Sequence, residues 1–463
     1  MEEKSKEVIS HKKQEYKQEL KRSLSFFDLL IYGMVFMVPI APFGIYGSVA
    51  QGSNGMIALA YLIGMVGMIF TALSYARMSE AFPIAGSVYS YAQRGINESV
   101  GFIAGWLILL DYVFVPALLY LVSASALHEM FSEIPLLLWV FIFILINTVI
   151  NILGIEFTAK ANIIIVILEL IVLTIFLVVG IIAIIKGVNG AEFTIKPLYD
   201  KNHFSMNVVM GAVSIAVLSF LGFDGISTLA EETKEGSKVI GRACVTALLT
   251  IGALFIIQTW VAALIWPNFR TFDNSDTAFY QIAELAGGTW LKTLTILATA
   301  FSWGIANALV AQAAISRIIY SMARDRKLPS FLAKVHPTFK TPYLSTLMIA
   351  FISLIVTAFF ASQIDKLSSV VNFGALSSFL FLHLSVMNYY LRKKHSKDYF
   401  RHLLLPLVGF LIIGYVWINL DPLSKKLGFI WLVIGIVYLI ILKFMKKGTT
   451  LDFEEEESIN TNT

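Results

Sequence analysis

The stretch Ser219-Phe220-Leu221-Gly222-Phe223-Asp224-Gly225-Ile226-Ser227-Thr228 sets an acid between two glycines inside an apolar run long enough to cross a bilayer. A carboxylate at bilayer depth costs several kcal/mol, so it persists where it faces a cavity, a partner or a substrate. Gly222 and Gly225 each weaken a helix by about 1 kcal/mol relative to Ala and let the backbone leave helical geometry. Backbone groups freed at that depth must line a site, because hydrocarbon offers them no partner. Two readings are open: a kinked helix whose Asp224 caps a neighbouring backbone group, or a transport site.

Composition decides the setting. The 463 residues are 57% hydrophobic and only 14% charged, with a mean hydropathy of +0.76, which excludes a water-soluble globular class. One cysteine, Cys244, forbids an intrachain disulfide and leaves no thiol cluster, and the seven histidines are dispersed, so no metal site is expected. The net charge of +4 comes from basic residues flanking apolar spans, a pattern of membrane topology and not of nucleic-acid binding.

Apolar segments near 26–50, 56–76, 99–127, 136–155, 160–186, 206–230, 241–266, 288–320, 342–361, 368–391, 402–420 and 427–445 suffice for twelve membrane helices, at about 20 residues each. Of the 35 Lys and Arg, 26 fall on the side of the N-terminus, 8 on the other, and Arg317 stays inside a helix, which predicts cytoplasmic termini. Residues 1–25 form a polar tail without the apolar core of a signal peptide, and 446–463 an acidic tail that has nothing to bury. Two segments are too polar to span: 77–91, which fits an interfacial helix, and 271–284, where Phe279, Ile282 and Leu285 recur at helical spacing.

A second interruption lies in the first span, at Val38-Pro39-Ile40-Ala41-Pro42-Phe43-Gly44. Each proline removes an i to i−4 hydrogen bond and clashes with the preceding turn. Spans one and six stand five apart, and paired breaks at corresponding positions of two halves point to an inverted-repeat transporter with its site at the midplane. The ionisable residues inside spans are candidates for the chemistry: Asp111 for a cationic substrate or a neighbouring helix, and Glu169, with no Lys or Arg within a helical turn, for proton exchange. Glu231 and Glu232, at the end of span six, are placed as a cytoplasmic gate. No phosphate-cradling loop, nucleophile elbow or paired-Cys motif appears, so neither an enzyme nor a bound cofactor is expected.

Several motifs, in order, carry a resemblance: Phe70-Thr71-Ala72-Leu73-Ser74-Tyr75, Phe82-Pro83-Ile84-Ala85-Gly86-Ser87-Val88-Tyr89-Ser90-Tyr91, Gly105-Trp106 with Leu110-Asp111-Tyr112, Phe220 to Asp224 with Thr228 to Thr233, Ser316 to Tyr320, and Asn372 to Leu376. Together they resemble the amino acid–polyamine–organocation permease family, and within it bacterial putrescine importers. The resemblance implies an all-α membrane protein of the LeuT type, about twelve helices in a 5+5 inverted repeat. In this chain that makes 26–445 the permease domain, with repeats at 26–187 and 206–392 and two peripheral helices at 402–445. It also implies transport of amino acids or polyamines, commonly coupled to protons or to exchange. Amino-acid carriers of the family hold the substrate carboxylate on a Gly-Ser-Gly turn; here that stretch is Ile40-Ala41-Pro42-Phe43-Gly44, and Pro42 removes a donor. Putrescine importers carry an Asp near the position of Gly44, and many proton-coupled relatives carry a Lys at that of Glu169.

The sequence thus reads as a multi-pass secondary transporter of the cell membrane, importing a putrescine-like polyamine and coupled to protons, with an amino acid as the alternative. A non-transporting sensor and a channel are the other classes. The substrate contacts expected are Ile40, Ala41, Pro42, Phe43, Gly44, Asp111, Tyr112, Gly222, Phe223, Asp224 and Gly225, with Phe43, Tyr112 and Phe223 covering the aliphatic part. Small-molecule substrate, proton and lipid are the partners.

Overall fold

The computed structural model describes residues 24–83, 87–154, 159–234, 236, 238–324, 328–361 and 363–444. The two tails expected at 1–25 and 446–463 lie outside these residues, apart from Leu24 and Ser25. Among the described residues the chain is almost wholly helical, and its one β pairing is an isolated bridge between Leu24 and Thr233. Eleven stretches are long and apolar enough to cross a membrane, and the 17-residue Tyr343–Phe359 is a shorter apolar helix at the ninth expected span. The architecture is that of an integral membrane protein of the LeuT-like permease type.

Span one is α1 (Phe26–Met37), a 3-10 turn (Ala41–Gly44) and α2 (Tyr46–Gly52). It starts on a capping box in which the backbone N–H of Ser25 donates to Asp28 Oδ2 at 2.8 Å, satisfying a donor the helix itself leaves free. Then come α3 (Ile57–Ala81), the surface helix α4 (Ser87–Gly95), α5 (Glu98–Met130), α6 (Leu136–Leu153) and α7 (Ala159–Ile185). The interfacial helix expected over 77–91 is therefore split: α3 keeps its register to Ala81, and the separate helix begins at Ser87.

Span six is α8 (Met206–Ala216) followed by 3-10 segments Val217–Phe220 and Phe223–Glu232. α9 (Lys238–Ile265) is span seven, and α10 (Ala278–Gly287) is the amphipathic helix of the following loop. Span eight joins α11 (Thr289–Phe301), a π segment (Ser302–Asn307) and α12 (Ala308–Arg324). α13 (Tyr343–Phe359), α14 (Ile364–Met387), α15 (Leu405–Ile418) and α16 (Pro422–Phe444) close the chain. Burial separates centre from periphery: 67% of the span-six window and 78% of that of α14 are buried, against 22% for α15 and for α16, which present their sides to lipid.

Both expected breaks are present, and they touch. At the first, Val38 adopts φ 53°, and Pro39 and Pro42 interrupt the helical ladder. At the second, Leu221 is extended and Gly222 takes φ 109°. A Cβ on Gly222 would lie 2.5 Å from Phe36 Cδ1 and 3.0 Å from the Phe36 carbonyl carbon, so only glycine allows the second break to rest on the end of α1. Buried side-chain amides take up the freed carbonyls: Gln258 Nε2 donates to Pro39 O at 3.0 Å, Asn372 Nδ2 to Ser214 O at 2.6 Å, and Asn147 Nδ2 to Gly304 O of the π segment at 2.7 Å.

Candidate functional site

A cavity of about 60 Å³ opens where the two breaks meet. Span one lends it Phe36, Met37, Val38 and Ala41; span six lends Leu218, Ser219, Leu221, Gly222 and Asp224; Asp111, Tyr112, Val115, Leu118 and Leu119 come from α5, and Trp303 and Asn307 from the π segment. The sequence forces this convergence, because each wall carries a residue that cannot continue an α-helix or a polar one that hydrocarbon rejects. Among the described lining residues there is no Lys or Arg.

Two carboxylates face this space. Asp224 is 5% exposed; its Oδ1 accepts from the Gly222 N–H at 3.3 Å and its Oδ2 from the Tyr75 hydroxyl at 3.5 Å. Tyr75 O–H in turn lies 3.2 Å from Ser87 Oγ at the start of α4. Asp111, 8% exposed, stands in mid-helix on α5. A Cβ on Gly374 of α14 would lie 2.9 Å from the Asp111 N and 2.6 Å from Leu107 O, so the two helices are in backbone contact there.

Of the residues expected from sequence, the cavity brings together Ala41, Asp111, Tyr112, Gly222 and Asp224. Ile40, Pro42, Phe43 and Gly44 are buried but do not line it. Phe43 stacks on Phe279 of α10 at 3.8 Å and meets Phe176 of α7, while Gly44 abuts Val122 of α5. Phe223 packs against Tyr75 and Phe379, and Gly225 lies near Tyr32 and Phe36. Glu169 is buried and does not line the cavity; its Oε1 accepts from Ser302 Oγ, the residue before Trp303, and its Oε2 meets no partner among the described residues. The backbone of Glu231 and Glu232 continues the 3-10 segment; their side chains lie outside the described residues.

The sequence reading missed Trp303, Asn307 and Tyr75. Gly304 and Asn307 inside an apolar run were the available signal for the π segment, since both relax a helix at membrane depth.

Comparison with known proteins gives the family. The amino acid permease family matches residues 24–449. The low-affinity putrescine importer PlaP of Escherichia coli (strain K12) is 33% identical over 429 residues, covering 91% of this chain and 93% of the importer. The branched-chain amino acid permease BcaP of Bacillus subtilis (strain 168) is 26% identical, over 91% of this chain and 92% of its own. A methylthioribose transporter of the same bacterium is 27% identical, over 90% and 92%.

Proposed function

The chain belongs to the amino acid permease family, and from that premise we propose that it is a proton-coupled secondary transporter of the cell membrane that imports a putrescine-like polyamine. Both termini then lie in the cytoplasm, as the distribution of basic residues favours. The two five-helix repeats take the bounds 26–187 and 206–392, one break in each. The observation that carries the reading is Asp224: a carboxylate at the junction of the two breaks, in a cavity without a basic side chain among its described lining.

The chemistry follows from that placement. An ammonium group offers three donors and a full charge; Asp224 offers an acceptor desolvated enough for the pair to be strong. The apolar walls at Val115, Leu118, Leu119 and Trp303 cover methylenes. Glu169 takes the proton role because it is buried, has one oxygen without a partner among the described residues, and touches the π segment that carries Trp303. A proton arriving there alters the Ser302 contact, and the change reaches the cavity through the next residue. Glu231 and Glu232 stay assigned to the cytoplasmic gate by their position at the end of span six.

Uptake of labelled putrescine into proteoliposomes, with and without a pH gradient, tests the reading. Asp224→Asn should cut uptake about thirtyfold or more, the cost of removing one partner of a buried charge pair. Glu169→Gln should leave substrate binding in place and abolish the response to the gradient; retained dependence removes that assignment. An amino acid is the second reading, favoured by the 26% identity to a branched-chain amino acid permease. It wins if leucine is accumulated and putrescine is not.

A further inference from the structure

We propose that Asp111 is a second ammonium anchor, so that the cavity selects an unbranched α,ω-diamine by meeting both of its charges with carboxylates. The inference rests on the import reading above and deepens it by naming the group that holds the second end of the substrate.

Asp111 lines the cavity together with Asp224, is more than nine-tenths buried, and has neither hydrogen bond nor ion pair among the described residues. A structural aspartate at this depth would cap a helix end or pair with a cation; Asp111 does neither, standing fourteenth in a 33-residue helix. Its backbone cannot retreat, because Gly374 holds α14 against α5 at that turn. A desolvated carboxylate without a partner among the described residues is a strong demand for one, and Asp111 lines the cavity.

The same turn of α5 frees a second acceptor. Pro116 lies inside α5 and has no N–H, so the carbonyl of Tyr112, four residues earlier, loses its helical donor. That carbonyl belongs to the residue after Asp111, itself part of the lining, and an ammonium has three N–H groups to share between acceptors. Much of the rest of the lining is hydrocarbon: Val115, Leu118 and Leu119 on α5, Leu218 and Leu221 on span six. At roughly 10–15 Å³ per water-sized occupant, about 60 Å³ suits a short thin chain. An amino acid would bring its carboxylate to a wall that already holds two carboxylates; a monoamine would leave Asp111 unpaired.

The test crosses a truncated side chain with a truncated ligand. Competition by 1,4-diaminobutane and by 1-aminobutane against labelled putrescine would be measured on the full-length protein, for the wild type and Asp111→Asn. The wild type should prefer the diamine by about tenfold to a hundredfold, the weight of one charge-assisted contact. In Asp111→Asn the diamine should weaken by that factor while 1-aminobutane holds within about twofold. Equal weakening of both ligands, or of neither, overturns the proposal. Should the variant fail to fold, the wild-type comparison decides alone: a diamine and a monoamine of equal affinity defeat the second anchor and leave amine import standing. If neither amine binds the wild type, the import reading falls first and takes this inference with it.

Discussion

Two aromatic layers pack behind the lining of the cavity, one against α10 and one against α4, and they are built from different chemistry. On the α10 side, Phe43, Phe176 and Phe279 are each no more than 1% exposed, with ring centroids 3.8 Å apart for Phe43–Phe279 and 4.6 Å for Phe176–Phe279. On the α4 side, Tyr75, Phe223, Phe379 and Tyr91 form looser edge-on and tilted contacts at 5.6 to 6.0 Å, and the Tyr75 hydroxyl runs from Asp224 to Ser87. The first layer is held by burial and dispersion, which take no account of charge. The second shares the carboxylate that faces the cavity, so on the proposed function an ammonium arriving at Asp224 would compete with the Tyr75 hydroxyl for it. On the proposed function the first layer would act as a lid indifferent to its cargo and the second as one that responds to it.

The largest effect should come from the indifferent lid. Phe279→Ala removes the ring sandwiched against both Phe43 and Phe176, at a cost of about 3–5 kcal/mol for a fully buried phenylalanine. Thermal unfolding should drop by several degrees, and accumulated putrescine should leak while binding in detergent changes by less than about threefold. Undiminished accumulation would show that this layer is not the barrier on its side.

Most of the frame was legible in the chain: the spans are written in apolar length, and the two breaks in Pro39, Pro42, Gly222 and Gly225. Within the site, the acids were found because an ionisable residue in a membrane span stands out against its neighbours. The aromatic residues were not sorted so well. Phe43 and Phe223 were expected against substrate and do not line the cavity, because which way a ring turns at a broken helix depends on backbone angles such as the φ of Gly222, where the chain rests on Phe36. Phe279 was visible only as one residue of an amphipathic helix, since its partners Phe43 and Phe176 lie far away in sequence. The π segment likewise depends on Asn147 of α6 to satisfy Gly304 O, a pairing no local pattern announces.

A smaller effect should come from the responsive lid. Tyr75→Phe keeps the ring against Phe223 and Phe379 and removes only the hydroxyl. The 3.5 Å contact to Asp224 is long, so its loss should matter by a factor of about two to five. The sign is the informative part. With the competitor for Asp224 gone, KM for putrescine should fall, and kcat should fall with it as the lid loses its return bond. A rise in KM would mean that the hydroxyl supports the carboxylate and does not compete for it, and the contrast between the lids would shrink to packing alone.

The smallest expected effect lies outside the indifferent lid, where Asp276 precedes α10 in a separate, wide vestibule also lined by Glu129 and Asp365. Burial and the nearby Asp365 carboxylate push the Asp276 carboxyl up from the ordinary value near 3.8 to about 6. A carboxyl raised in the folded state binds its proton more tightly there than in the unfolded chain, so its contribution to stability is complete below pH 4 and is lost as pH rises through about 6. Asp276→Asn removes that loss. Melting profiles of wild type and variant should coincide near pH 4 and separate above pH 6, with the variant more stable by about 1–3 °C. The α10 side would then carry its pH response in the vestibule, outside a layer of phenylalanines that has no group to titrate, whereas the α4 side has its acid directly beneath the lid. Profiles that stay parallel from pH 4 to 8 would remove Asp276 from that account and leave the two lids differing only in how they meet the substrate.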